Sequence, residues 1–544
     1  MKTKSYVYGV EKINGYDAWA MFEACALGNL GKVKALLAKD RRLVNAQYWY
    51  QLPIHMAVRA GHAHIVKLLL DRSADPGQSR YTYDSWDKLL RCARERGYRE
   101  IESLLQRAMQ KRFNYNPDFD LLKNAIIQRD SRKISAVLRK HPKLARASDA
   151  LGNNPLHWAV LTRQLGLIER FVDLGTPIDA LRADGQTPVL LAVNGSDYWY
   201  RDTRGKSHPS IRNNFVIVGN LLARGARYTI SVAAAAGDQE RIEELLRADP
   251  GVAKRLDTLR VSPLSYAAGG GHFHIVHLLL KHGADLNIPE EGAPDGMALY
   301  EACVKNHFEI AKLLLEHGAN PNAGVDSSEC CLTIGSIYHG DQAKHLQKLL
   351  RQYGAYIPPY RMNAEQMKRA IRSRHKVVQH EEFLGNVLRT RNQNLIDVYL
   401  DTNPAALKHM QFWGGIVYPK SAALVRRLLA RGLDPNARDW LGRTLLHDCA
   451  ANGDTSVAAV LLDGGADINA RDAEFKGTPL ATAVRGWCTE TDFKQNPRRR
   501  RAVEFLLKRG AALDLPGDEP WATPLAWAKR HGRREIVQTL KANV

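Results

Sequence analysis

The sequence predicts an all-α solenoid of stacked helix-turn-helix units that carry β-hairpin or loop fingers. Three observations lead there. First, the chain repeats itself: "GNNPLHWAVLTRQLGLIERFVDLGTPIDA" from Gly152, "VSPLSYAAGGGHFHIVHLLLKHGADLNI" from Val261 and "GRTLLHDCAANGDTSVAAVLLDGGADINA" from Gly442 follow one pattern. Second, 544 residues exceed one ordinary core unless the architecture grows by addition. Third, leucine runs such as Leu68 to Leu70 and Leu278 to Leu280 mark the apolar stripe of a second helix, which a lone unit cannot bury.

Each element of the unit has a physical reason. Pro155, Pro188, Pro263, Pro479 and Pro524 sit at a first helical turn, where a missing N–H costs nothing. Small residues in an A-x-x-G stretch let the short first helix lie close to its neighbours. Copies near the pattern include "LPIHMAVRAGHAHIVKLLLDRSADP" from Leu52, "YEACVKNHFEIAKLLLEHGANPNA" from Tyr300 and "TPLAWAKRHGRREIVQTLKANV" from Thr523. Others, such as the stretch from Phe119, keep the two-helix rhythm without the motif letters. The pattern closely resembles the ankyrin repeat, with its period of about 33 residues and its T-P-L-H-x-A signature. The resemblance covers nearly the whole chain, as about 15 units.

The expected organisation is one continuous array over 1–544. An N-terminal capping repeat occupies 16–47, and repeats fill 48–360 with an insertion at 194–213. An inserted helical segment follows at 361–382, then repeats at 383–517 with an insertion at 488–501, and a capping repeat at 518–544. Insertions in repeats map to loops on one face, often the binding face.

Chemistry points away from an enzyme. No nucleophile elbow, P-loop, H-E-x-x-H or kinase signature appears, so no catalytic residue and no cofactor is expected. Seven cysteines without a C-x-x-C pair suit a reducing compartment. The N-terminus has no apolar signal region, so the expected setting is intracellular, cytoplasmic or associated with nucleoid or nucleus, without a membrane span and as a monomer. The resemblance implies that His55, His157 and His447, in the T-P-L-H slot, hydrogen-bond hairpin backbone. No metal is expected, because no Cys or carboxylate completes a zinc set.

Partner chemistry is suggested by charge: 78 Lys and Arg against 57 Asp and Glu leave +21. Such a surface favours polyanions or acidic proteins. In the resemblance, finger tips and exposed first-helix positions form a concave binding surface. The tips then supply Gln47, Tyr48, Trp49, Tyr50, Arg80, Tyr81, Tyr83, Asn153, Asn154, Arg182, Arg260, Arg438, Trp440 and Arg443. The first helices add Arg59, Trp158 and Arg485, and the insertions add Tyr198, Trp199, Arg201, Arg204, Lys206, Arg212, Arg499 and Arg500. Aromatic residues beside arginines are the composition of binding hot spots. The leading expectation is duplex DNA, with Arg, Asn and Gln reading base edges and Lys and Arg gripping phosphates. RNA stays open because unpaired bases stack on aromatic rings. The alternative is a protein-protein scaffold for an acidic partner.

Overall fold

A computed structural model of the chain describes residues 6–8, 11–47, 51–77, 85–194, 214–325, 329–379, 383–409, 421–439, 441–489 and 496–542. It divides into two compact units, Met1–Tyr356 and Ile357–Val544. Among the described residues, the only paired strands of any length are Tyr6–Tyr8 and Glu11–Ile13, an antiparallel hairpin ahead of the first helix, Gly15–Ala26. The remaining regular elements are helices, as the sequence pattern requires.

In the first unit the helices come in pairs. Each has a short inner helix, a tight turn, and an outer helix: Pro53–Ala60 with Ala63–Asp71, Pro155–Leu161 with Leu165–Asp173, Pro263–Gly270 with Phe273–Lys281. Helices this short are marginal alone, because few hydrogen bonds repay nucleation. Side chains cap them. Asn154 Oδ1 accepts from His157 N at 3.0 Å, and Asp130 Oδ1 accepts from Lys133 N at 2.9 Å.

Packing supplies the remaining stability. Inner helices touch inner helices: Ile230–Ala236, Pro263–Gly270, Ala298–Val304 and Cys331–His339 run in contact one after another. Outer helices do the same in a second layer, from Gln239–Ala248 through Phe273–Lys281 and Phe308–Glu316 to Lys344–Gln352. An inner helix is therefore enclosed, and Pro155–Leu161 buries all of its residues. An outer helix keeps one face open to solvent, so Phe273–Lys281 buries only a stripe of Ile275, Val276 and Leu279.

The turn inside each pair carries a joint to the next. Gly237 ends its inner helix with φ +78, and a Cβ there would stand 2.6 Å from the ring of His272. That ring, from the following pair, donates from Nε2 to Ala235 O at 3.2 Å. His62 makes the same bond to Ala26 O at 3.1 Å. The glycine is needed for the left-handed turn and again for the close approach of the neighbour's ring.

The second unit repeats the scheme. Its pairs include Phe383–Arg389 with Gln393–Thr402, Leu445–Asn452 with Thr455–Asp463, Pro479–Thr489 with Asn496–Lys508, and Pro524–Arg530 with Arg534–Lys541. A further helix, Ala364–Arg372, starts on a capping box between Asn363 and Gln366. One expectation is corrected here. The arginine run at the end of the 488–501 insertion is not a loop but the opening of the outer helix Asn496–Lys508. Pro497 suits a first turn, and the arginines fasten it: Arg498 Nε donates to Gly453 O at 3.3 Å and Arg499 to Ala451 O. Among the described residues no helix is long and apolar enough to cross a membrane.

Replacing Gly237 with Ala should therefore cost more than the left-handed turn alone. At Gly97, φ +72, nothing lies near an added Cβ, and Gly97→Ala should cost about 1 kcal/mol. Gly237→Ala must also displace His272 and should cost about 3 kcal/mol. Urea denaturation of the two variants checks the ordering.

Candidate interaction surface

Between an outer helix and the next inner helix the chain turns out into a finger, and an aspartate builds it. Asp149 N donates to Asn153 O at 3.2 Å. Its Oδ1 accepts from Leu151 N and Asn153 N, both at 2.9 Å. Asp257 holds Leu259 N and Val261 N in the same way, at 2.9 and 3.0 Å, and Asp439 holds Leu441 N and Arg443 N, both at 2.9 Å. Fingers are also joined sideways, Ala183 N donating to Leu151 O and Ala473 N to Leu441 O, each at 2.8 Å.

The second carboxylate oxygen takes a donor from outside the turn. Trp158 Nε1 donates to Asp149 Oδ2 at 2.9 Å, and Tyr266 OH to Asp257 Oδ2 at 2.8 Å. Arg443 Nε fills the place at Asp439, at 2.9 Å. The aromatic position after the T-P-L-H slot thus braces finger to inner helix. The sequence placed Trp158 and Arg443 toward a partner, and that orientation is corrected.

Other candidates are likewise used inside the chain. Asn153, Asn154 and Arg182 are each less than a tenth exposed. Arg182 Nη1 donates to Asn153 Oδ1 at 3.1 Å, and its Nε and Nη2 donate to Asp184 at 2.8 and 2.6 Å. Asn154 caps His157 and donates from Nδ2 to Pro177 O at 3.1 Å. Gln47 is 5% exposed. Arg260 pairs with Glu291, and Arg438 Nη1 donates to Gly442 O and Arg471 O at 3.0 and 2.6 Å. Arg485 lies 3.4 Å from the centre of the Phe475 ring and 5.9 Å from that of Trp527. Arg500 pairs with Glu504 and Glu535. Arg59 is half-buried in the inner helix Pro53–Ala60, where its carbonyl accepts from Arg96. Tyr48, Trp49, Tyr50, Arg80, Tyr81, Tyr83, Tyr198, Trp199, Arg201, Arg204, Lys206, Arg212 and Trp440 lie outside the described residues.

The T-P-L-H histidines are bridges. His157 Nδ1 accepts from Asn154 N at 3.2 Å, and its Nε2 donates to Gln186 O, in the next finger, at 3.0 Å. His447 accepts from Thr444 N at 3.1 Å and donates to Gly477 O at 3.2 Å. His55 Nδ1 accepts from Leu52 N at 2.9 Å. Burial holds His157 and His447 far below their usual range, at about 3 and about 4, so both rings are neutral. Among the described residues no group of three or more His, Cys, Asp or Glu is placed to hold a metal ion.

One repeat solves the same problem with opposite chemistry. Ser265 stands in the histidine slot of "SPLS", and the next finger answers with Glu290. Its Oε1 accepts from Ser265 Oγ at 2.7 Å and Ser262 Oγ at 3.0 Å, and its Oε2 accepts from Ser262 N at 2.8 Å. Burial pushes this carboxyl up to about 7 despite those donors.

A second irregularity makes a cavity. The junction from Arg224 to Thr229 enters helix Ile230–Ala236 without a finger. The fingers on either side close over the gap, and Gly185, φ +87, meets the Thr258 carbonyl too closely for any Cβ. A cavity of about 540 Å³ remains beneath, floored by Val189, Leu190, Ile230 and Leu245, with Arg227 and Arg255 among its polar lining. Its size suits an apolar side-chain group with a polar flank.

Paired helices, laterally bonded fingers and ring bridges define a repeat stack, and comparison with known proteins agrees. Family models for ankyrin repeats match residues 230–324, as three copies, and residues 50–80 and 441–473. The chain is an ankyrin-repeat protein. It is 32% identical over 127 residues to NF-kappa-B inhibitor delta of Mus musculus, covering 22% of this chain and 39% of that one. It is 30% identical over 175 residues to ankyrin repeat, SAM and basic leucine zipper domain-containing protein 1 of Dasypus novemcinctus, covering 29% and 30%. It is 36% identical over 96 residues to serine/threonine-protein kinase VIK of Arabidopsis thaliana, covering 17% and 19%. The chain thus matches well under half of each.

The bridges make stability depend on pH in two directions. His157 and His447 have folded values below the unfolded 6.5, so the unfolded chain takes up more protons and stability falls as pH drops from 6.5 toward 4. Glu290 lies above its unfolded 4.5, so its contribution is full below 4.5 and is lost as pH rises through 7. Urea midpoints measured from pH 4 to 8 should show the acid-side loss shrink in His447→Asn and the rise-side loss shrink in Glu290→Gln.

Proposed function

We propose that the chain is a non-enzymatic protein-interaction scaffold whose partner presents an acidic surface. The observation that carries this is how the positive charge is spent. The asparagines and arginines suited to base edges, Asn153, Asn154, Arg182, Arg260 and Arg443, are engaged by the fingers themselves, while an excess of +21 remains for the whole chain. Positive charge whose base-reading candidates among the described residues are engaged inside the chain favours attraction to an acidic protein over sequence-specific duplex recognition.

The relatives support the same class. Their names describe a kinase, an NF-kappa-B inhibitor and a SAM and leucine-zipper protein, so no single reaction is common to these names. The name of one, NF-kappa-B inhibitor delta, fits a surface that works by holding another protein.

Two measurements test the proposal. Capture of partners from lysate should survive nuclease treatment and weaken with added salt. Arg182→Ala should lower folding stability by about 1 to 2 kcal/mol, because it leaves Asp184 and Asn153 without their donor, and should leave affinity for duplex DNA unchanged across sequences in fluorescence anisotropy. A loss of about 1 to 3 kcal/mol on one preferred duplex only, with an unchanged melt, would restore the DNA reading.

A further inference from the structure

The charge that the fingers do not use is concentrated elsewhere. Residues 131–146, "SRKISAVLRKHPKLAR", contain six Lys and Arg and no Asp or Glu. They form the outer helix Ser131–Lys140 and the turn after it. Arg132, Ser135 and Arg139 are three, four and seven residues apart and share one face, with the two arginines about 10 Å apart along the axis. The neighbouring outer helix, Leu165–Asp173, brings Arg170 alongside, and its Nη2 donates to Ser135 Oγ at 3.1 Å.

These residues, with Leu138 and Leu174, line an open groove of about 760 Å³. Leu174 is 43% exposed at its end. Arg132 and Arg139 are exposed, and neither forms an ion pair or side-chain hydrogen bond among the described residues. The nearby acids are mostly committed: Glu169 pairs with Arg224 at 3.0 Å and Asp130 caps the helix at Lys133 N, which leaves exposed Asp173.

We propose that this outer-helix groove docks an acidic amphipathic segment of a partner protein, with carboxylates on Arg132 and Arg139 and an apolar side chain against Leu138 and Leu174. The proposal rests on the acidic-partner reading and gives it a place away from the fingers. An apolar floor between cationic walls favours a peptide, since a sugar-phosphate backbone has nothing apolar to set there. Carboxylates two helical turns apart on such a segment match the arginine spacing.

The test titrates a labelled helical peptide, with glutamates flanking a leucine at that spacing, onto the full chain in fluorescence anisotropy. Arg132→Glu with Arg139→Glu should weaken binding by about tenfold or more. Lys348→Glu with Arg351→Glu, the same charge change on the exposed face of outer helix Lys344–Gln352, should leave it within about twofold, because salt screens charge beyond about 8 Å. Leu174→Asn should weaken the peptide and not a duplex DNA probe. All five positions are exposed, and circular dichroism melts confirm folding. Equal losses in both charge variants, equal binding of a scrambled peptide, or no binding of the peptide would each overturn the groove. The scaffold reading would then stand or fall on nuclease-resistant capture alone.

Discussion

No helix pair in this chain can bury its own apolar surface, and every other feature follows from that constraint. An inner helix such as Pro155–Leu161 is buried all round, so it needs a neighbour on each side and residues small enough to let the neighbour close in. The joints between pairs are correspondingly regular. A ring from one pair donates to a carbonyl of the next, through His157 and His447 toward the following finger and through His62 and His272 toward the preceding inner helix. These bonds satisfy backbone groups that stacking would otherwise bury without partners.

The same economy explains why the fingers among the described residues turn their polar groups inward. A projecting turn exposes amide groups, and here an aspartate collects them while its second oxygen takes Trp158, Tyr266 or Arg443. Side chains that look like recognition groups in one dimension are fasteners in three. Glu290 shows that the joint matters more than the residue that makes it: with serine in the histidine slot, the acceptor arrives from the other side of the interface.

How much of this was legible depended on the range of each interaction. Prolines at first turns, leucine stripes and the histidine slot are local signals, and the pairs fall where those signals put them. The sequence misplaces Trp158 because its partner lies across a turn. The signal is nevertheless present, as Trp158, like Tyr266, stands nine residues after its aspartate. The arginine run before Ala502 falls in an expected insertion because what fastens it as a helix is not local: the accepting carbonyls of Gly453 and Ala451 come from the preceding pair. Arg182 and Asn153 were misjudged for the same reason, since their bond joins two fingers 29 residues apart in sequence.

The missing finger between Ala223 and Ile230 has a consequence for address. A row of equivalent fingers is translationally symmetric, so a long ligand laid along it could shift by one unit at little cost and occupy several positions at once. The gap destroys that degeneracy. With the fingers at Gly185 and Thr258 pressed together above a hollow, the row of the first unit carries a landmark that a shift by one finger does not reproduce, and a ligand spanning it is held to its register.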